Sequence, residues 1–129
     1  MKRAQSAIEF MILIGVLLLL MTGFLAFVGN NISQKQIEQR TALMRSIADN
    51  IEQEIRLANS ASNGYSRNLE LPSTILGKEY AIDIIDSLLQ IRTLDAKSSL
   101  AVPISNVTGT LTPGANIIRK VNNQVYANQ

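Results

Sequence analysis

The chain has 129 residues, room for one modest domain plus an appended segment, since domains usually hold about 100 to 200 residues. It has no Cys, His or Trp, which excludes thiol nucleophiles, disulfides, imidazole bases and every Cys/His metal site. Charged residues are 17% of the chain against a usual share of about 25%, and apolar residues are 47%.

The sequence pI is 9.2, yet the formal charge is only +2, from 12 basic and 10 acidic side chains. Lys2 and Arg3 account for that excess. Further on, Lys35, Arg40, Arg45, Arg56 and Arg67 are interleaved with Glu38, Asp49, Glu52 and Glu54, so no stripe of one sign forms to follow a phosphate backbone. A nucleic-acid partner is not expected.

In chain order, the first element is a helix long enough to cross a membrane. Phe10 to Val28 reads FMILIGVLLLLMTGFLAFV, with Thr22 its only polar side chain, and no charge occurs between Glu9 and Lys35. At about 1.5 Å per residue this run covers roughly the 30 Å of bilayer hydrocarbon. Lys2 and Arg3 precede it and no basic residue follows closely, so the N-terminus is expected inside and the remainder outside the cytoplasmic membrane. A cleaved secretory signal fits less well: its apolar core is shorter, about 7 to 15 residues, and ends in a small-x-small site, whereas this run leads into Gly29-Asn30-Asn31-Ile32.

Beyond the membrane the helical pattern continues. Ile37, Met44, Ile47, Ala48, Ile51, Ile55 and Ala58 recur at steps of three, four and seven, with Glu38, Arg45, Asp49, Glu52 and Arg56 largely between them, which predicts an amphipathic stripe. Helix from Ile8 to Leu57 would run about 75 Å. Gly29, Asn30 and Asn31 are poor helix formers, so a bend or loosened turn is expected where the two halves join.

A carboxylate at the edge of an apolar segment is costly unless something pairs with it. Glu9 sits in the stretch Lys2-Arg3-Ala4-Gln5-Ser6-Ala7-Ile8-Glu9-Phe10, directly before the apolar run. This start resembles the class III signal peptide of archaeal type IV pilins, in which a prepilin peptidase removes a short basic leader and the mature chain begins Gln-x-Ser-x-Glu-Phe. The resemblance covers residues 1 to about 30. It implies a leader from Met1 to Ala4, a cut between Ala4 and Gln5, and assembly roles for Gln5, Glu9 and Phe10. One position departs: the serine of the motif falls at Ala7, and the nearby hydroxyl is Ser6.

Cleavage would remove Lys2 and Arg3, leave 10 charges of each sign from the starting 12 and 10, and expose an α-amine on Gln5. That amine and the Glu9 carboxylate lie four positions apart, one helical turn, so within a subunit they share a face. They could also pair between neighbouring subunits, neutralising both where an unpaired charge costs several kcal/mol. Packing many copies side by side would hide Phe10 to Val28, at about 0.8 kcal/mol per buried methylene. Gly15 and Gly23, on nearly one face, would permit close helix approach.

After Ala58, the stretch Asn59-Ser60-Ala61-Ser62-Asn63-Gly64 predicts that the helix stops. Short alternating runs follow: Tyr80, Ile82 and Ile84; Leu89 and Ile91; Leu100, Val102 and Ile104; then Ile117 to Val121 and Gln124 to Tyr126 flanking Asn122-Asn123. They predict antiparallel hairpins. Pro113-Gly114 signals a turn, and Pro103 marks an edge strand or bulge. About 70 residues of thin strands make a marginal core by themselves, so the sheet is expected to pack on the stripe Met44, Ile47, Ile51, Ile55. The expected fold is α+β, matching the lollipop architecture of the resembled family: a leader (1–4), a filament-core helix (5–30), an amphipathic continuation (31–58) and a small β-rich head (59–129).

Two sequons occur, Asn31-Ile32-Ser33 and Asn106-Val107-Thr108. Both are expected outside the cell, and Asn106 is the better glycan acceptor because its surroundings are turn-rich. The carboxylate pairs Asp83 with Asp86 and Glu79 with Asp83 lack a supporting base, metal-ligand partner or phosphate loop, so neither catalysis nor a cofactor or metal is expected.

These features together predict a structural subunit of an extracellular pilus-like filament serving adhesion or motility. Its partners would be further copies of itself, a prepilin peptidase, an assembly platform in the membrane, and the lipid bilayer before assembly. The competing expectation is a single-pass protein whose β-rich ectodomain displays a ligand- or partner-binding surface.

Overall fold

The computed structural model describes residues 2–129, with side chains described from Gln5 onward. The expected leader, Met1 to Ala4, falls on the side chains outside that range. One helix, α1 (Lys2–Ser60), precedes seven strands, and the chain forms two compact units, residues 1–36 and residues 37–129.

Among the described residues, the first unit is helix alone. The helix assignment runs unbroken through Gly29, Asn30 and Asn31, so the loosened turn expected there does not interrupt it. The Asn31 amide donates to the carbonyl of Phe27 at 3.0 Å and the Ser33 hydroxyl to that of Gly29 at 3.2 Å. Both are i to i−4 contacts that keep short polar side chains satisfied on their own helix.

The second unit holds the rest of α1 against two small sheets. The strands are β1 (Ser66–Leu71), β2 (Tyr80–Ile85), β3 (Leu88–Thr93), β4 (Ser99–Pro103), β5 (Thr108–Gly109), β6 (Gly114–Val121) and β7 (Gln124–Ala127). They form a four-stranded sheet in the order β1-β6-β7-β5 and a three-stranded sheet in the order β2-β3-β4. The expected α+β fold, a long helix followed by a small and mainly antiparallel β-rich head, is the one observed; in detail there are two sheets rather than one, and β5 runs parallel to β7. Strand β1, whose alternating Leu69 and Leu71 are both buried, was not anticipated.

Local chemistry explains the turns. Asn122 and Asn123 adopt φ values of 49° and 65°, the left-handed pair that a two-residue hairpin requires and asparagine tolerates, and they join β6 to β7. Asp86 and Ser87 do the same between β2 and β3, with φ of 47° and 67°. Pro103 closes β4, which pairs only with β3 and so lies at the edge of its sheet. An edge tolerates a residue with no amide hydrogen.

The core gathers residues from all of these elements. Met44, Ala48, Ile51, Ile55 and Ala58 of α1 are fully buried together with Leu89, Ile91 and Ile118 of the strands. Burying each large aliphatic side chain contributes about 1.5 to 3 kcal/mol, so the stripe foreseen on the helix supplies the second face that the thin sheets lack. Ile37 departs from it: although in phase with the stripe, it is exposed. Arg40, one of the basic residues interleaved with acidic ones in the sequence, is buried.

Candidate functional site

Most of the candidate site residues of the sequence lie in the first unit. Gln5 and Glu9, one turn apart on α1, are both exposed, as is Phe10; Ala4, on the other side of the expected cut, has its side chain outside the described residues. Glu9 heads a shallow apolar strip along one helix face, formed with Ile12, Leu13, Val16, Leu17 and Leu20. The remaining faces are no more polar: Met11 is 77% exposed and Leu19 73%.

This is one helix long and apolar enough to cross a membrane, and none of its most apolar stretch is buried within the chain. Its one polar side chain between Phe10 and Val28, Thr22, donates its hydroxyl to the carbonyl of Leu18 at 2.8 Å, so no side-chain donor is left seeking water. At Gly15 and Gly23 a β-carbon would meet nothing within 4 Å; the small size of these residues serves no contact inside the chain. Such a surface can be hidden by lipid or by other apolar surfaces.

The head is held by a few partly buried polar links that cross long sequence separations. Arg40 on α1 reaches Asp95 at 3.2 Å. Asp95 stands on the β3–β4 turn, where its carboxylate accepts the Thr93 hydroxyl at 2.6 Å and the Lys97 amide at 3.2 Å. The Thr93 hydroxyl first, then the Lys97 amide and the Arg40 charge, hold its carboxyl below the usual aspartate range. A carboxyl depressed in the folded state contributes stability that is present above its unfolded pKa, about 3.9, and is lost as pH falls through the folded value. Asp95→Asn is expected to lower stability at neutral pH and to flatten its decline below about pH 4, read from urea midpoints of the full chain in detergent micelles at several pH values.

Lys120, buried on β6, donates from Nζ to the carbonyls of Asn59 at 2.6 Å and Ala61 at 2.9 Å. The last turn of α1 contains no basic residue of its own, so this distant ammonium satisfies carbonyls at the negative end of the helix. The segment that follows is tied to β6 by Gly64 N to Lys120 O and Lys120 N to Tyr65 O, both 2.9 Å. Lys120→Met keeps the length of the side chain and removes the charge; it should cost about 2 kcal/mol, since hydrogen bonds to charged groups contribute about 1.5 to 3. Urea unfolding of the full chain, followed by circular dichroism, measures it.

The carboxylates Glu79, Asp83 and Asp86 lie on or beside the β2–β3 hairpin. Asp83 pairs with Arg92 at 3.2 Å across the β2–β3 hairpin, both side chains largely solvated, Asp86 forms the exposed turn, and Glu79 is exposed. Among the described residues no group of three His, Cys, Asp or Glu gathers as a metal site. Of the sequons, Asn106 is exposed between β4 and β5, whereas the side-chain nitrogen of Asn31, the atom that would carry a glycan, is engaged by Phe27. Sequence reasoning missed Arg40 and Lys120 as structural residues because their partners lie 55 and about 60 positions away; helical phase was the only signal for Arg40, which falls beside Met44 and Ile47.

A family model described as a family of unknown function, DUF7266, matches residues 3–127. No curated protein and no solved structure matches the chain.

Proposed function

Within DUF7266, the family of unknown function to which this chain belongs, we propose that the protein is a structural subunit of an extracellular, pilus-like filament. It is inserted first as a single-pass membrane protein, freed of Met1 to Ala4 by a prepilin peptidase, and assembled through its apolar helix with further copies. The observation that carries this reading is a segment apolar on every face and wholly exposed, introduced by the Gln5-to-Phe10 motif and followed by a head with its own core. A folded head leaves the helix free for intermolecular use. Lipid covers the segment before assembly, and neighbouring helices can cover it afterwards, each buried large side chain being worth about 1.5 to 3 kcal/mol.

The same exposed helix supports the second reading, a permanently anchored ectodomain. N-terminal sequencing of protein sheared from the cell surface separates them. Filament material beginning at Gln5 is expected; protein that remains in the membrane with Met1 to Ala4 attached overturns the proposal and leaves the anchor.

A further inference from the structure

The filament reading leaves the two sequons unused, and the fold treats them in opposite ways. Asn31-Ile32-Ser33 lies within α1. Successive helical side chains turn by about 100°, so residues two apart face nearly opposite directions. Asn31 and Ser33 each bond back to a carbonyl of their own helix, those of Phe27 and Gly29. Asn106-Val107-Thr108 instead lies between β4 and β5 and ends on the first residue of β5. In extended chain alternate residues share a side, and here Val107 is buried while Asn106 and Thr108 are exposed. Ile104 and Val107, both part of the core, hold the segment down on either side of Asn106. The side-chain nitrogens that the head spends on its own structure belong to other asparagines. Asn116 donates to the carbonyls of Thr112 and Gly114, and Asn128 to the carbonyl of Thr110 and the side-chain oxygen of Asn116.

We infer that Asn106 is a site of N-linked glycosylation and that Asn31 is not. The inference rests on the outward placement of the head in the reading above, and not on filament assembly. Acceptor sequons are those on surface segments of exported chains, and the hydroxyl two residues on distinguishes an acceptor asparagine from any other. In the transfer, the side-chain nitrogen of Asn106 bonds to the anomeric carbon of an oligosaccharide carried on a polyprenyl phosphate lipid. That carbon's bond to the phosphate oxygen breaks, the carrier leaves with the electron pair, and the amide gives up one proton to solvent. An attached glycan is bulky and hydrated. At Asn106 it projects from an exposed position and displaces no core contact. At Asn31 it would stand three residues beyond Val28, the end of the apolar run, on a nitrogen already bonded to the Phe27 carbonyl.

Full-length chain isolated from its own cells, digested and mapped by mass spectrometry, tests this without any variant. The peptide carrying Asn106 is expected to bear an added mass that fragments to sugar ions, and the peptide carrying Asn31 none. Asn106→Gln and Thr108→Ala should each abolish the increment, while Thr108→Ser, which keeps a hydroxyl, should retain it. Thr108 is exposed, so its replacement leaves the core untouched. Protease added outside intact cells records independently whether the head is outward. An unmodified Asn106 on an outward head, an increment at Asn31, or one that survives Thr108→Ala each overturns the proposal. An unmodified head protected inside the cell would sink the site and the filament together. A glycan at Asn106 on a chain still carrying Met1 to Ala4 would uphold the site and overturn the filament; filaments beginning at Gln5 with a bare Asn106 would do the reverse.

Discussion

Glu9→Gln is expected to leave insertion and leader removal intact while reducing the yield of surface filaments at least about tenfold, because breaking a buried ion pair by removing one partner costs about 3 to 5 kcal/mol. The carboxylate lies between Ile8 and Phe10 and at the head of the strip formed by Ile12, Leu13, Val16, Leu17 and Leu20. In a single chain it is exposed; once apolar helices close around it, water is lost and only another charge can compensate. In the proposed filament, the nearest cation would be the α-amine that removal of the leader would create at Gln5. Glutamine preserves size and hydrogen bonding but leaves that amine unpaired. Filament recovered by shearing, measured against subunit retained in the membrane, checks the result, and a normal filament yield with Glu9→Gln contradicts the role assigned to the carboxylate.

Gly109→Ala is expected to destabilise the head by about 3 kcal/mol or more, combining a residue forced into a glycine-only backbone region with an overpacked contact. Gly109 has φ of +121°, and a β-carbon there would lie against the carbonyl oxygen of Ala127, 3.0 Å from its carbonyl carbon and 3.2 Å from its nitrogen. The neighbour is backbone, and it belongs to the strand that β5 must pair with, Gly109 opposite Ala127 in parallel register. Relief therefore requires β5 to leave the sheet, carrying buried Val107 and Leu111 with it. Against a usual domain stability of about 5 to 15 kcal/mol the loss is large. Urea midpoints of the full chain in micelles measure it, with Gly23→Ala, where nothing lies within 4 Å, as the comparison. Equal midpoints for the two variants would mean that the close approach of β5 to β7 is not required.

Much of the architecture was legible because its signals are local. An uncharged run from Phe10 to Val28 is readable as a membrane-length helix by counting, and the phase of Met44, Ile47, Ile51 and Ile55 identifies the face that the head buries. Asn122-Asn123 announces a hairpin because few other residues accept two consecutive positive φ values. The Gln5, Glu9 and Phe10 motif is read from one short stretch, and the structure adds to it only that all three residues are exposed. Strand β5, with two residues, is too short for periodicity to register, and β1 was hidden because Ser66, Arg67 and Asn68 carry no strand signal ahead of Leu69 and Leu71.

The chain by itself determined where hydrocarbon must be covered, where the helix changes from apolar on all sides to apolar on one, and where turns fall, because these depend on side chains a few positions apart. Only the tertiary structure decided that the strands divide into two sheets, that β5 joins β7 in parallel, that Arg40 is drawn to Asp95, and that Lys120 reaches back to the carbonyls of Asn59 and Ala61. Those contacts join residues tens of positions apart, and nothing in the local order of side chains selects one distant partner over another. The selection is made by shared burial: a charge or a carbonyl taken out of water must find a complement, and which one it finds depends on what the folded core has brought alongside.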